Sequence, residues 1–267
     1  MKVTDDRAVV ADPPAIDLQA VTKSFVFKGQ RVDALAPTTL QLEAGSFVSI
    51  VGPSGCGKTT LMQMCGGFSQ PTSGTLAIHG KRLTGPLTDL GIVFQKDVLF
   101  DWKTVLENVL LQARIRGLPL AQMTDRAREL LASVGLAGFE NSYPWQLSGG
   151  MRQRVALCRA MVHDANLLMF DEPFGALDSL TRDQMLLDLQ KIWNSTRKKT
   201  ALFITHDISE AVFLSDRVLV MSPRPGRVAQ DIRIELPRPR TLELRETPEF
   251  LHYQRWIRDV FRELKVI

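Results

Sequence analysis

Eight consecutive residues, Gly52, Pro53, Ser54, Gly55, Cys56, Gly57, Lys58 and Thr59, fit the spacing G-x-x-x-x-G-K-[ST] between a strand-like run and an apolar helical stretch. That combination suits a nucleotide's phosphates. Its glycines let backbone N–H groups close around a phosphate, the helix that follows offers its N-terminus, and Lys58 adds a point charge. Thr60 extends the phosphate-binding set by one residue, and the Thr59 hydroxyl suits Mg²⁺. A second chemical pair, Asp171 and Glu172, follows the apolar residues 167–170, which puts two carboxylates at the carboxyl end of a strand, where open α/β sheets bind ligands. Asp171 is suited to hold Mg²⁺ through its water shell, and Glu172 to orient and deprotonate an attacking water. Alone, such a pair also serves as a helix N-terminal cap; beside a phosphate loop it reads as the hydrolytic half of an ATPase.

A third motif lies ninety residues beyond Lys58: Leu147, Ser148, Gly149, Gly150 and Met151, followed by Arg152, Gln153, Arg154 and Val155. Ser148 suits a helix N-cap, and two glycines permit close backbone approach, so this is a second helix start able to meet an anion. Taken alone it is equally a capped helix with a pliable first turn. In this order and spacing it resembles the signature motif of ATP-binding-cassette (ABC) ATPases. The rest of that family's pattern is also present: Gln95 after the strand-like residues 91–94, the run Gly175, Ala176, Leu177, Asp178, and His206 after residues 201–204. The resemblance covers residues 15–235 or so. It implies that Gln95 senses Mg²⁺ and the attacking water, that Asp178 contacts an opposing subunit, and that His206 bonds the γ-phosphate. Phe25 matches the aromatic that stacks on adenine, although a strand-end aromatic is also an ordinary core residue.

Finer features resemble the nitrate/sulfonate/taurine type of importer ATPase: Met151 in place of a glutamine, Gly175 in place of a serine, and the run Ser222, Pro223, Arg224, Pro225, Gly226, Arg227. Asp101 and Trp145 depart from that group, which often has proline and histidine there. The resemblance implies two chains closing head to tail on two ATP, each ATP held between one chain's phosphate loop and the other's signature helix. It also implies integral-membrane permease subunits reached through residues 95–108, an extracytoplasmic solute-binding protein acting indirectly, and a peripheral position on the cytoplasmic face of the inner membrane. The competing reading is a soluble ABC ATPase acting on nucleic acid or ribosomes. Such relatives usually carry long coiled coils, zinc modules or tandem cassettes, for which 267 residues leave no room.

The elements that must position these residues follow from periodicity. Strand signals occur at 16–21, 38–42, 47–51, 75–78, 91–94, 167–170, 201–204, 217–221 and 228–236. Helical periods occur at 105–116, 121–134, 181–198 and 207–215, with Met123, Ala127, Leu130, Leu131 and Val134 on one face and Gly135 as a stop. Residues 96–160 thus read as a helical insert in an α/β fold, and the resemblance implies the ABC ATPase fold: a phosphate-loop NTPase (RecA-like) core with an antiparallel β subdomain and an inserted α-helical subdomain at about 96–160. Residues 1–14 read as a flexible tail, 15–236 as the ATPase domain and 237–267 as a tail with an amphipathic helix. In that tail Phe250, Tyr253, Ile257, Val260 and Leu264 form one stripe after Thr247 and Pro248. It suits packing on its own domain, on a second subunit or the permease, or on a membrane surface.

Composition narrows the classes. The net charge of 33 − 29 = +4 is small and dispersed, which argues against nucleic acid as partner. No run nears the roughly 18 apolar residues of a membrane span. Acidic Asp5 and Asp6 stand where a secretory signal would be basic, and three cysteines without ligand spacing indicate neither disulfides nor zinc.

Overall fold

The computed structural model describes residues 13–195 and 199–266. All but the last two residues of the expected N-terminal tail, and the last three of the helix expected at 181–198, lie outside the described residues. β1 (Ile16–Phe27) and β2 (Gln30–Leu42) form a hairpin that joins β4 (Ser73–Ile78) and β5 (Lys81–Arg82) in an antiparallel sheet of order β2-β1-β4-β5. The second sheet has the order β10-β9-β3-β8-β7-β6. Its strands β3 (Phe47–Val51), β6 (Leu90–Val93), β7 (Leu167–Asp171), β8 (Thr200–Ile204) and β9 (Arg217–Met221) are parallel, and β10 (Val228–Arg233) closes the edge antiparallel. Every residue of β3 and β8 is buried, because a parallel sheet covered on both faces needs continuous apolar runs rather than alternation.

One face of the parallel sheet meets α1 (Lys58–Cys65) and the antiparallel sheet, through Val48, Ile50, Leu61, Met62, Met169, Leu202, Ile16 and Leu35. The other face is aromatic at its centre, with Phe47 packed on Trp193 at 5.5 Å and on Phe203 at 5.9 Å. Between β6 and β7 stand α2 (Val105–Val109), α3 (Leu111–Ile115), α4 (Leu120–Ser133) and α5 (Gly149–Met161). The single helix expected over 105–116 is divided at Leu110. Its ladder nonetheless runs through, from the Leu110 N–H to Leu106 O and from the Arg114 N–H to Leu110 O, so the division is a local tightening at ψ −4°. Ala127, Leu130, Leu131 and Val134 are buried as the helical face requires, and Gly135 adopts φ +74°.

The remaining helices are α6 (Ser179–Ser195), α7 (Ile208–Leu214) and α8 (Pro248–Glu263). β10 stops at Arg233 instead of running to 236: the Ile234 N–H still meets Asp216 O in register, but the Asp216 N–H turns to Phe47 O, so the reciprocal ladder bond is not made. In α8, Thr247 caps the helix by accepting from the Phe250 N–H at 3.3 Å. Phe250 and Ile257 are fully buried, and half-buried Tyr253 accepts the Glu235 N–H through its hydroxyl at 3.1 Å. The stripe is therefore covered by its own chain. All three cysteines are free and buried.

Candidate nucleotide-binding and hydrolysis site

The chemical residues converge because their strands are neighbours. β3, β7 and β8 lie side by side and parallel, so the loops after Val51, Asp171 and Ile204 leave the sheet at one edge. Between the two sheets, that edge opens into a cleft of about 340 Å³ lined by Phe25, Val32, Ala34, Ser54, Gly55, Gly57, Lys58, Thr59, Thr60, Glu172 and Arg224. The loop from β3 to α1 is glycine-dependent where backbones meet. Gly57 sits at φ +103° and a Cβ there would stand 2.9 Å from Ala34 O, while a Cβ on Gly52 would press on Cys56 Sγ and Met221. Pro53 and Cys56 support the loop from outside the cleft lining, and burial pushes the Cys56 thiol pKa up, which keeps it protonated. Lys58 is buried and folds its ammonium back onto Gly52 O at 2.9 Å and Pro53 O at 3.1 Å. Phe25, 45% exposed at the other end of the cleft, has the Lys23 ammonium 5.1 Å from its ring centroid, so it is not a core residue. Val32, Ala34 and Arg224 were not anticipated as site residues; they are brought in by β2 and by the loop after β9.

Thr59 Oγ1 donates to Asp171 Oδ1 at 3.2 Å, which joins the helix start to the end of β7. Burial raises the Asp171 pKa; the Thr59 bond and Lys58 pull it down, while neighbouring Glu172 pushes it further up. Two hard oxygen ligands side by side fit Mg²⁺, which takes most of its octahedron from phosphates and water. Among the described residues no group of three or more His, Cys, Asp or Glu stands together as a metal cage. Glu172 is the first residue beyond the ladder and has φ +45°, a conformation costing a non-glycine residue of order 1–3 kcal/mol. Its N–H holds Ile204 O at 2.9 Å, and its Oε2 lies 3.3 Å from His206 Nδ1. His206 stands between β8 and Asp207, whose carboxylate caps α7 by accepting from the Ser209 and Glu210 N–H groups. Glu172 and the glycine-rich loop thus face one cleft, and His206 stands within reach of the Glu172 carboxylate from outside its lining.

The ABC transporter family pattern matches residues 35–175. An uncharacterized ABC transporter ATP-binding protein of Methanocaldococcus jannaschii is 42% identical across 97% of this chain and 96% of its own length. A taurine import ATP-binding protein of Roseobacter denitrificans is 45% identical over 77% of this chain and 76% of that protein, and a nitrate import ATP-binding protein of Synechocystis is 41% identical over 92% and 95%. A solved dimeric ATP-binding cassette in a post-hydrolysis state, bound to ADP and Pi, aligns with a TM-score of 0.72 at 32% identity, covering 83% of this chain and 100% of that one. This chain belongs to the ABC transporter family, as an ATPase subunit.

In this ABC ATPase the signature residues stand apart from the cleft, for none of Leu147, Ser148, Gly149, Gly150 or Met151 lines it. Ser148 caps α5, its hydroxyl accepting from the Met151 N–H at 3.3 Å. Ser148 and Gly149 are exposed, and a Cβ on Gly149 would meet only the end of the Arg152 side chain. Gly150 is needed within the chain, because a Cβ there would lie 2.7 Å from Thr181 Cγ2. Leu147 is buried and Met151 packs partly against the core, so these two anchor the motif in its own chain. Asp178 is exposed and accepts from the Thr181 N–H at 3.0 Å, which makes it a cap of α6. Gln95 is exposed two residues beyond β6 and outside the cleft lining.

Proposed function

We propose that this ABC ATPase energises import of a small anionic solute of the nitrate, sulfonate or taurine class, as two copies closed head to tail around two ATP. The carrying observation is that the cleft holds the phosphate loop, Glu172 and Phe25 while the exposed Ser148 and Gly149 lie outside it, so one chain offers two unlike halves of a site. In the closed pair Phe25 stacks on adenine and Lys58 leaves Gly52 O and Pro53 O to meet the β- and γ-phosphates. The Ser148 helix start of the other copy meets the γ-phosphate, and Asp178 contacts that copy. Thr59 and Asp171, with Gln95 beside them, would hold Mg²⁺, which when bound would supply positive charge against the phosphates. Glu172 takes the proton of the water that attacks the γ-phosphorus as the bond to ADP breaks, and His206 donates to the γ-phosphate. Loss of those contacts opens the pair and moves permease subunits docked near residues 95–108. The taurine and nitrate import relatives support the solute class. No helix among the described residues is long and apolar enough to cross a membrane, so the reading puts the ATPase peripherally on the cytoplasmic face, with a solute-binding protein engaging the permease on the opposite side.

Mixing a Lys58→Ala chain with a Ser148→Arg chain tests the shared sites. Both defects then fall on one composite site and leave the other whole, so ATPase activity rises on mixing above either variant alone. Activity that is monomeric and independent of protein concentration would contradict the reading.

A further inference from the structure

The loop that follows β9 is built against the phosphate loop, and neither the sequence motifs nor the relatives assign it a part in nucleotide binding. Gly226 donates its N–H to Ala34 O at 3.0 Å and accepts from the Ala36 N–H at 2.9 Å, which stitches the loop to β2. Ser222 closes it from the other side, its N–H donating to Arg227 O at 3.0 Å and its hydroxyl accepting from the Arg227 N–H at 3.2 Å. The fit against the phosphate loop tolerates no side chain: a Cβ on Gly226 would fall 1.8 Å from Cys56 O. Held in that frame, Arg224 lines the cleft and donates from Nε to Gly55 O at 3.2 Å. Its Nη2 stands 3.4 Å from where a Cβ on Gly55 would be.

Arg224 thus brings a guanidinium to the phosphate end of the cleft, and among the described residues no carboxylate pairs with it. Among the described residues, one of its five N–H donors has a protein acceptor. The remaining donors form a fork suited to phosphate oxygens, which a permanently charged guanidinium can grip at two points. The other cation of the cleft, Lys58, is spent on Gly52 O and Pro53 O until a ligand draws it away, whereas Arg224 faces the cleft already positioned.

We propose that Arg224 is a nucleotide-binding residue, a second cation that joins Lys58 in holding the polyphosphate. This rests on the reading of the cleft as the ATP site. The test is titration of the full-length protein with a fluorescent ATP analogue, with inorganic tripolyphosphate as competitor. Binding to the wild-type protein, abolished or weakened in Lys58→Ala, checks the ATP site by itself. Arg224→Gln keeps an N–H donor for Gly55 O but removes the charge, and Arg224→Lys keeps charge without the fork. The expected result is that Arg224→Gln weakens both the analogue and tripolyphosphate by roughly 10- to 100-fold, as loss of a charge-assisted bond predicts, with Arg224→Lys in between and the nucleotide-free melting temperature unchanged. Wild-type affinity of Arg224→Gln for tripolyphosphate would overturn the proposal and reduce Arg224 to a prop for Gly55. So would a loss of affinity accompanied by a matching fall in melting temperature for both variants.

Discussion

Arg240→Met probes the joint between the ATPase core and the C-terminal helix. Arg240 is 2% exposed. Its Nη1 donates to Val212 O, Phe213 O and Ser215 O at 2.8, 3.1 and 2.8 Å, and its Nη2 to Leu236 O at 3.3 Å. The first two carbonyls belong to the last turn of α7, which has no further helical residue to satisfy them. Methionine keeps most of the volume, so the cavity term is small. Two effects then oppose each other. Orphaning four buried carbonyls costs about 1–3 kcal/mol apiece. Against this, burial, with nearby Arg238 adding to it, lowers the guanidinium pKa to about 10, and deleting the cation returns about 3 kcal/mol on that account. The orphaned carbonyls win: about 4–12 kcal/mol lost against about 3 kcal/mol returned leaves a net loss of about 1–9 kcal/mol. At roughly 2–4 °C per kcal/mol for a chain of this size, that lowers the melting temperature by at least about 2 °C and by about 10–20 °C at mid-range. Urea and thermal unfolding followed by circular dichroism, without nucleotide, measure it. Gln190, which pairs with the Arg240 backbone N–H and carbonyl at 2.7 Å each, should hold the linker in place, so ATP affinity stays within about twofold. A melting temperature within 2 °C or so of wild type would refute the claim that this guanidinium caps α7.

Glu172→Gln should retain ATP binding and an ATP-stabilised dimer while hydrolysis falls by roughly 10²–10⁴-fold, because an amide cannot take the water's proton; turnover near wild type in a purified preparation would remove Glu172 from the role of base. Truncation after Arg240 deletes α8 and uncovers the apolar surface that Phe250 and Ile257 cover, so it should lower the melting temperature and leave ATP affinity intact. Tyr253 and Ile257 changed together to Asp should act alike, since charge would be forced onto the buried face. Loss of ATP affinity at an unchanged melting temperature would instead tie the tail to the nucleotide site.

The site was legible wherever a short stretch of chain performs the chemistry. Phosphate binding needs successive backbone N–H groups and a helix start, all encoded between Gly52 and Thr60, and the strand-end pair Asp171 and Glu172 needs only an apolar run before it. His206 was found through its place after β8, and the structure sets its Nδ1 3.3 Å from Glu172 Oε2. Arg224 was visible only as part of a subfamily marker, because its approach to Gly55 crosses 169 residues of chain and no local spacing signals such a contact. The boundary of β10 and the division at Leu110 were missed because one follows from where the Asp216 N–H turns and the other from a local change in ψ at Leu110, and periodicity registers neither.

By itself, the order of residues determined the reaction class, the sheet's parallel core and the existence of the C-terminal amphipathic helix. Strand burial, helical stripes and phosphate-loop spacing are local patterns that leave an imprint on composition every two to four residues. Tertiary structure alone decided three other matters. It put Ser148 and Gly149 outside the cleft that Lys58 and Glu172 share, it buried the α8 stripe against its own chain, and it folded the loop carrying Arg224 onto the phosphate loop. Each depends on which surfaces meet when two sheets and their helices close around common cores, and an apolar face or a free guanidinium in a sequence does not specify its partner.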